Sequence, residues 1–424
     1  MNRTHFKTPA RWGCFAVVVL LFVLVAQPGA VRAQSFGVSG FVKSSYYYDT
    51  RQVVAARNTE FLLWPVQDAN PDGDDATDTD NLSSYQIFSR VGLSVDDMPQ
   101  VMGADVSGYI ETDFFGPTGD ETNTLRIRRA FAKMVWDNRE VQFGVEWSPM
   151  FTLAAFPHIV DTEAGTPFNP FARQPMIKLT LKPGNLRLIG AAAWQFDAFQ
   201  SAAFPDPNFA SPQSGIDQQQ RSALPGMHGQ VQYVTENLTV GGGGYVKSLR
   251  PVATGDRMFT SAGLAYVAYS GETFNMRAKG IYGGDLHDHV KTSGIVYDPG
   301  EDSSPGAFDA DAFQALNSFS AWLEVEGKGT LAPGIFGGYL TNLGASDDLT
   351  DPDNAIATGR GTNIDNLWEV APRLVVNQGP MRFAFEVQVT NATFASDFDA
   401  SLAPDGDTES TTNVRGNFTV FLFF

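Results

Sequence analysis

The last eleven residues constrain the fold more than any other stretch of the chain. In 414–424 the even-numbered positions are apolar apart from Gly416, and the odd-numbered positions begin with Arg415, Asn417 and Thr419. Because side chains alternate between the two faces of a strand, this pattern predicts a β-strand with one apolar and one polar face. A buried last strand of an ordinary β-protein is the alternative to a strand at a boundary between lipid and water.

The beginning and the end of the chain both indicate export. Residues 1–33 combine a basic start, an apolar run without charges at 14–26 and the small-residue sequence Val31-Arg32-Ala33. This pattern predicts a secretory signal peptide at 1–33 that is removed before Gln34. The apolar run is too short for a transmembrane helix. The ending on Phe424, with apolar residues at every second position before it, is similar to the assembly signal of bacterial outer-membrane β-barrels.

The charge balance limits the partners of the exported chain. The formal charge is −18, and removal of the four cations Arg3, Lys7, Arg11 and Arg32 lowers it to −22. Such an acidic chain is a poor partner for nucleic acid, so none is expected. The single cysteine lies within 1–33, which excludes disulfide, thiol and Cys–zinc chemistry after export.

Segments with alternating apolar and polar positions recur along the rest of the chain. We predict sixteen strands, at residues 35–48, 85–95, 105–115, 124–136, 140–148, 174–182, 186–196, 227–234, 238–247, 258–269, 274–283, 318–326, 335–343, 367–376, 382–390 and 414–424. Short turns and long polar loops separate them in turn, as in barrels with short periplasmic turns and long extracellular loops. The prediction is an all-β chain in which residues 34–424 form a single 16-stranded antiparallel transmembrane β-barrel in the outer membrane. A soluble β-sandwich or propeller is the competing architecture, but no repeat of 40–50 residues supports a propeller.

If the apolar positions face lipid, the intervening positions face a lumen too wide for side chains to fill, and we expect it to hold water. The cations at these inward positions are Arg90, Arg126, Arg128, Lys178, Arg187, Arg277, Lys279, Arg373, Arg382 and Arg415. A cationic wall attracts anions. The inward acids are Glu111, Asp113, Glu146, Glu324, Glu369 and Glu386. Ion pairing within a polar interior is therefore the alternative to an anion path.

The predicted strand 124–136 carries the densest group of these cations. Arg126 and Arg128 point inward and are the best candidates for a cationic ladder. The same alternation places Arg129 and Lys133 on the outer face, which is costly toward lipid. That placement predicts burial at a subunit interface, unless the register of the strand changes within the segment.

The segment 149–173 differs from the other long loops because it is rich in phenylalanine and proline rather than in acids. Such a composition favours packing against an inner wall, so we predict that this loop folds into the pore. Asp161, Glu163, Arg173 and His158 would then narrow the channel. An external loop packed against its neighbours is the alternative.

Two groups of residues are candidate metal sites. Asp68, Asn70, Asp72 and Asp74 match the first half of a D-x-N-x-D-G calcium loop, in which hard oxygens alternate around a glycine turn. The glutamate expected at the twelfth position is absent, so a solvated acidic loop is the alternative, and no other cofactor is expected. The weaker candidate comprises Asp285, His287, Asp288 and His289.

The sequence offers little to indicate catalysis. No Ser/His/Asp arrangement, phosphate-binding loop or pair of catalytic carboxylates stands out, and His228 is the only histidine within a predicted strand. We therefore expect that the protein is not an enzyme.

Four stretches of the chain resemble the DcaP-like family of trimeric outer-membrane porins. They are Glu111-Thr-Asp-Phe-Phe-Gly116, Leu125-Arg-Ile-Arg-Arg-Ala-Phe131, Phe143-Gly-Val-Glu-Trp-Ser-Pro-Met-Phe151 and Gly165-Thr-Pro-Phe-Asn-Pro-Phe-Ala-Arg-Gln-Pro175. The resemblance implies a sixteen-stranded trimer, a third loop folded inward and a basic channel favouring small anions such as dicarboxylates. It also implies that Arg126, Arg128 and Arg173 belong to the constricted region. The chain departs from the family pattern by carrying Asp161 and Glu163 in the third loop and by lacking the coiled-coil segment that some members have before the barrel.

These observations together favour an outer-membrane porin for passive or weakly selective diffusion of small hydrophilic solutes. We expect a preference for anions, assembly as a homotrimer and a location in the outer membrane after export. The alternative is a non-channel barrel that acts in adhesion or structure through acidic, calcium-binding surface loops.

Overall fold

The computed structural model describes residues 34–68, 70, 73–116, 123–196, 202–206, 208–299 and 312–424. The signal-peptide prediction at 1–33 lies outside the described residues. The elements are β1 (Ser35–Asp49), β2 (Val53–Ala56), β3 (Phe61–Pro65), β4 (Asn81–Tyr85), β5 (Arg90–Asp96), β6 (Asp105–Asp113), β7 (Arg126–Trp136), β8 (Arg139–Trp147), β9 (Arg173–Leu181), β10 (Leu186–Ala193), α1 (Gly215–Ser222), β11 (Gly226–Val234), β12 (Leu238–Leu249), β13 (Met258–Ser270), β14 (Phe274–Gly284), β15 (Ser293–Tyr297), β16 (Phe313–Gly327), β17 (Leu331–Gly344), β18 (Ile356–Arg360), β19 (Ile364–Gln378), β20 (Met381–Ala395) and β21 (Thr408–Phe423).

The strands close into a barrel because the first and last of them pair. In β1, Phe41 lies opposite Phe423 of β21, and the antiparallel register continues to Asp49 opposite Arg415. β4 and β5 together occupy one wall position beside β1, while β15 and β18 extend the sheet from long loops. The wall therefore has sixteen strands, which leaves no unpaired edge and confirms the predicted fold class.

All sixteen predicted strands correspond to strands of this wall, but several are longer than predicted. β20, for example, ends at Ala395 rather than at 390, and β16 begins at Phe313 rather than at 318. The extra residues lie at the end of the barrel that carries the long loops, hereafter the long-loop end. Strands that continue beyond the lipid no longer need an apolar outer face, so the alternation used for prediction fades there.

The terminal strand β21 has the two faces that its sequence indicates. On the even-numbered face Leu422 is 42% exposed and Phe424, which follows the strand, is 55% exposed, whereas Arg415 on the other face is fully buried. β21 and β1 both reach the opposite end of the barrel, hereafter the short-turn end, where the connections are only a few residues long. There the inward face of β21 finishes with Phe421 and Phe423 instead of polar residues.

Two inserted segments occupy much of the lumen. The first is the hairpin formed by β2 and β3, and the second is loop 3, which we define as residues 148–172 between β8 and β9. Phe61 of the hairpin packs edge-on against Phe171 of loop 3 at 5.2 Å between centroids, within one buried apolar cluster. Apolar side chains of the chain itself therefore occupy part of the lumen.

None of the helices among the described residues combines the length and the apolar character needed to cross a membrane.

Candidate functional site

Loop 3 is held against the inner wall by two buried lysines. Lys279 of β14 donates to the carbonyl oxygen of Phe151 at 2.6 Å and to the side-chain oxygen of Asn169 at 2.8 Å. Lys291 donates to the carbonyl oxygen of Pro167 at 3.1 Å. A buried ammonium group needs acceptors on every side. These lysines therefore stabilise the fold of loop 3 and are unavailable to a passing solute.

Acids of the wall bind the backbone of loop 3. The carboxylate of Glu386 in β20 accepts hydrogen bonds from the backbone N–H groups of Val160 at 3.0 Å and Asp161 at 3.1 Å. Glu324 of β16 accepts from the backbone N–H of His158 at 2.8 Å. Two acids that alternation assigns to the lumen thus fix loop 3 across the barrel.

Asp161 of loop 3 is tied to the terminal strand through a buried ion pair. Arg415 of β21 lies 2.7 Å from Asp161 and 2.8 Å from Asp49 of β1. It also donates to the carbonyl oxygen of Thr59 in the β2–β3 hairpin at 2.7 Å. One guanidinium therefore joins two wall strands, the hairpin and loop 3, and its charge is compensated by two carboxylates.

Glu163 of loop 3 lies in an acidic environment. It is 1% exposed and accepts a hydrogen bond from Gln388 of β20 at 2.8 Å. Burial, followed by the negative charges of Asp161 and Glu369, raises the pKa of Glu163 well above its ordinary value. Burial likewise raises the pKa of Glu60, in the hairpin, to about 7.

The arginines at the start of β7 are neutralised by β6. Arg126 lies 2.8 Å from Asp113, and Arg128 lies 2.6 Å from Asp113 and 2.8 Å from Glu111. Arg128 is fully buried. Ion pairing with inward acids therefore describes Arg126 and Arg128 better than a cationic ladder does.

Arg129 and Lys133 do not face outward as predicted, because a β-bulge changes the register of β7. The register between β6 and β7 shifts between Glu111 and Thr112, so Arg129 lies opposite Glu111 and Lys133 opposite Ser107. Directly opposite residues share a face, and Glu111 faces the lumen. Both cations consequently point inward, and Arg129 pairs with Glu146 of β8 at 2.7 Å.

Three cations near the short-turn end are supported by aromatic rings instead of acids. Lys43 lies 5.1 Å from the ring centroid of Phe88, Arg90 lies 4.1 Å from the same ring, and Arg382 lies 5.1 Å from Phe423. None of these three cations forms an ion pair with another residue described by the structure. Lys43 is absent from the predicted inward cations. Its neighbour Val42 is apolar and faces outward, so alternation along β1 was sufficient to place Lys43 on the inner face.

The remaining predicted cations have different surroundings. Arg173, the first residue of β9, lies 5.2 Å from the ring of Trp147, and Arg277 pairs with Glu324 at 2.7 Å and with Glu326 at 2.8 Å. Arg373 pairs with the same two glutamates. Lys178 lies opposite Gln142 on the inner face, and Arg187 donates to the carbonyl of Gly184 in a short turn at 2.8 Å.

A cavity of about 530 Å³ lies between loop 3 and the wall toward the short-turn end. Its lining includes Arg90, Arg373 and Arg382 from the wall, and His158 and Asp161 from loop 3. Aromatic rings supply much of the rest, namely Phe88, Trp147, Phe151, Phe156 and Phe171. This cavity brings Arg90 and Arg382, which form no ion pair with another described residue, together with apolar rings.

Ser148, His289 and Asp288 form a chain of hydrogen bonds that the sequence did not indicate. Ser148 Oγ lies 3.1 Å from His289 Nε2, and His289 Nδ1 lies 3.0 Å from Asp288. This is the order of a nucleophilic triad. All three side chains are buried, however, and the lining of the 530 Å³ cavity includes Trp147 but none of them. Because a substrate has no access to these three side chains, we interpret their hydrogen bonds as an anchor that ties the start of loop 3 to residues 285–291.

The candidate calcium loop is only partly described. Asp68 accepts a hydrogen bond from the backbone N–H of Asn70 at 2.8 Å, and Asp74 is described, but Asp72 lies outside the described residues. Asp285 and Asp288 of the weaker candidate pair with Lys247 at 2.8 and 2.9 Å. Within the described ranges, no cluster of three or more His, Cys, Asp or Glu side chains is arranged to hold a metal ion.

Comparisons with known proteins give one consistent result. No protein-family model and no curated protein matches the sequence. The structure is similar to the outer membrane channel DcaP of Acinetobacter baumannii, with a TM-score of 0.65, 16% identity and coverage of 94% of this chain and 100% of that one. It is also similar to an anion-selective porin from Comamonas acidovorans, with a TM-score of 0.53, 10% identity and coverage of 92% and 100%. The trimer form of OmpT from Vibrio cholerae gives a TM-score of 0.53, 10% identity and coverage of 93% and 100%. The resemblance to DcaP-like porins is thus confirmed at the level of the fold, and the chain has the architecture of an outer-membrane porin barrel.

Proposed function

We propose that this protein is a porin that lets small hydrophilic solutes cross the outer membrane by passive or weakly selective diffusion. The observation that carries the proposal is the closed sixteen-stranded wall around a lumen in which Arg90 and Arg382 form no ion pair with another described residue. A barrel of this width is suited to a channel, and the buried Ser148–His289–Asp288 chain gives no reason to assign an enzymatic activity.

A preference for anions follows from the distribution of these charges. Arg126, Arg128, Arg277, Arg373 and Arg415 are compensated by carboxylates at ion-pair distance. Arg90 and Arg382 line the cavity and form no ion pair with another described residue, so they place positive charge at its surface. This charge lowers the barrier to entry of anions such as carboxylates. The porin from Comamonas acidovorans, a barrel of the same fold, is anion-selective and gives this preference a precedent.

We further propose that the protein assembles as a homotrimer in outer-membrane lipid after export by the 1–33 segment. The similarity to a trimer form of OmpT supports this assembly. Light scattering of the purified protein in detergent, corrected for bound detergent, would give the number of chains directly. A monomer under conditions that preserve the barrel would contradict the trimer.

Reconstitution into planar bilayers tests the proposed function. We expect stepwise conductance increments, and under a salt gradient a reversal potential that indicates anion preference. A barrel that inserts into the bilayer without conductance steps would favour the adhesion or structural alternative. Conductance with a clear cation preference would contradict the role of the unpaired cations only.

Replacing Arg90 with glutamine should lower the ratio of anion to cation permeability by about twofold, because it removes an uncompensated charge from the lumen. The measurement is the reversal potential under a salt gradient. Arg187→Gln is the matched control, since it removes the same charge from a turn where the guanidinium donates to backbone carbonyls. Equal shifts in the two variants would show that total charge, rather than the position of Arg90, sets the selectivity.

A further inference from the structure

The wall of the barrel has a slot at the long-loop end. β14 ends at Gly284, which lies opposite Asn317 of β16, and its last pair with β13 involves Ala262. β13 and β16 continue beyond these pairs to Met258 and Phe313, and the slot between their ends is a cavity of about 310 Å³. Its polar lining consists of Arg257, Thr260, Ser261, Gln314, Asn317 and Ser346. The slot therefore offers guanidinium, hydroxyl and amide groups, which can hydrogen-bond to phosphates and to sugar hydroxyls.

Two arginines lie at the rim of the slot. Arg257 directly precedes β13, is exposed, and donates from Nε to the carbonyl oxygen of Ser222 at the end of α1 at 2.6 Å. Arg250 directly follows β12, and its Nε is buried without a hydrogen-bond partner in the described chain. Neither forms an ion pair within the described ranges, whereas the neighbouring Arg221 lies 3.6 Å from Asp206. Arg250 and Arg257 are therefore able to bind an anion.

The acids that adjoin the slot in the chain leave these arginines available. Asp285 follows Gly284 and pairs with Lys247 at 2.8 Å. Asp256 and Asp347 are exposed, and neither forms an ion pair with a cation of the described chain. The charge of an exposed carboxylate is screened by water and salt.

The outer face next to the slot is apolar. Phe259 lines the slot and is 63% exposed, so the slot opens toward the surroundings of the barrel. Along the same face Gly263 lies opposite both Gly244 and Tyr282, and Tyr282 is 55% exposed. The two glycines leave a shallow surface beside the rings, which suits acyl chains. Exposed aromatic side chains mark the boundary between hydrocarbon and headgroups, so Arg257, two residues beyond Phe259, lies at the level of the headgroups.

We propose that the slot binds the headgroup of a phosphorylated glycolipid, with a phosphate on Arg257 and Arg250 and the sugar hydroxyls on the polar lining. The long loops of outer-membrane barrels lie outside the cell, so the lipid belongs to the outer leaflet. Arginine binds phosphate through two parallel hydrogen bonds, and basic pockets at the membrane surface recognise lipid headgroups. The inference requires the barrel to lie in the outer membrane, but it does not require the barrel to conduct ions.

Three lipids separate the contributions of phosphate and sugar. Bisphosphorylated lipid A carries both, phosphatidylglycerol carries a phosphate without a sugar, and monogalactosyldiacylglycerol carries a sugar without a phosphate. Native mass spectrometry of the detergent-solubilised protein, titrated with each lipid, gives the fraction bound. We expect lipid A to bind about tenfold more tightly than either of the others. This comparison uses the unaltered protein and so does not depend on the folding of a variant.

Three substitutions test the assignment to residues. Arg257→Gln should weaken lipid A and phosphatidylglycerol about tenfold and leave the galactolipid unchanged. Arg257→Lys keeps the charge and should retain lipid A binding within about threefold of the wild type. Ser261→Val should weaken lipid A about threefold without affecting phosphatidylglycerol.

Matched controls remove the same groups from other places on the barrel. Arg187→Gln removes a guanidinium that donates to a backbone carbonyl in a short turn. Ser84→Val removes an exposed hydroxyl from β4, where Ser84 lies opposite Tyr46 of β1. Both variants should bind lipid A as the wild type does.

The possible failures are distinguishable. Equal affinities for the three lipids in a protein that conducts ions would overturn the glycolipid site and leave the porin function standing. Preferential binding of lipid A without any conductance would support the site and contradict the porin function. A preference that persists in Arg257→Gln would place the site elsewhere and overturn the inference. An oligomer that takes up no lipid A would assign the slot to contact between copies of the chain, which would also overturn it.

Discussion

Replacing Arg415 with glutamine is expected to destabilise the interior of the barrel by about 3–5 kcal/mol, because it leaves Asp49 and Asp161 buried without their cation. Arg415 is fully buried and lies within 2.8 Å of both carboxylates, and it also donates to Thr59 of the hairpin. The wall itself is held by the backbone hydrogen bonds of sixteen strands. The loss should therefore fall mainly on the attachment of loop 3 and of the β2–β3 hairpin.

If loop 3 and the β2–β3 hairpin detach from the wall, the path through the lumen becomes wider. We expect the single-channel conductance of Arg415→Gln to rise severalfold and its current noise to increase, and we expect loop 3 to become sensitive to protease. Arg187→Gln is the matched control, because it removes the same charge from a short turn, where the guanidinium donates to the carbonyls of Gly184 and Leu186. Conductance and noise like those of the wild type in Arg415→Gln would show that other contacts suffice to hold loop 3.

A double-mutant cycle with Asp161→Asn separates the link to loop 3 from the link to Asp49. If Arg415 holds loop 3 through Asp161, the two substitutions together should cost less than the sum of their separate effects, with a coupling of about 1–3 kcal/mol. Urea unfolding in detergent, followed by near-ultraviolet circular dichroism, provides the free energies. Additive effects would mean that Arg415 acts through Asp49 and the closure of the barrel alone.

The wall of the barrel could be predicted from the sequence because lipid imposes a strict rule on it. Every outward position of a spanning strand must be apolar, and this requirement produces the alternation seen in 414–424 and in the other segments. The rule assigns a face to each side chain, and it assigns Arg90, Lys279 and Arg415 to the inner one. The closure of β21 on β1 then follows from the need to pair every edge.

The content of the lumen could not be predicted in the same way, because alternation names a face but no partner. Arg415 and Arg90 have the same sequence signature, yet one is paired with two acids and the other lies over Phe88. The pairing of Arg415 depends on Asp49 and Asp161, which are 366 and 254 residues away in the chain. Such pairs are fixed by the closure of the barrel and by the path of loop 3, and no local pattern encodes them.

The bulge in β7 and the β2–β3 hairpin escape prediction for related reasons. A bulge adds one residue to a strand, so Arg129 and Lys133 change face without any change in composition. The hairpin carries the run Phe61-Leu62-Leu63-Trp64-Pro65, which is buried throughout. It lies within a long segment whose many acids indicate a polar external loop. The apolar run was the one feature of that segment that could have indicated a hairpin folded into the lumen.

Raising the pH is expected to loosen loop 3 and the hairpin, because two of their buried acids hold protons in the folded state. Burial, reinforced by Asp161 and Asp113, raises the pKa of Glu60 to about 7, although Lys43 and Arg415 act in the opposite direction. Burial and the charges of Asp161, Glu369 and Glu386 also raise the pKa of Glu163 well above its ordinary value. A carboxyl group with a raised pKa stabilises the folded state fully only below its ordinary pKa. That contribution is lost as the pH rises through the folded-state value.

For Glu60 the shift from 4.5 to about 7 corresponds to about 3 kcal/mol, lost between about pH 5 and pH 8. Titration of Glu163 should act in the same direction. Conductance and current noise of the reconstituted channel should therefore increase between about pH 5 and pH 8. The direction follows from the sign of the pKa shifts, since a group with a lowered pKa would loosen the inserts on acidification instead.

Glutamine at the two positions removes the proton that titrates while keeping the size of the side chain. Glu60→Gln and Glu163→Gln should each flatten the pH dependence, and the double variant should keep low noise up to about pH 8. Asp347→Asn, which changes an exposed acid of a long loop, is the matched control and should retain the dependence of the wild type. Noise that decreases with rising pH, or a dependence that persists in the double variant, would contradict the assignment.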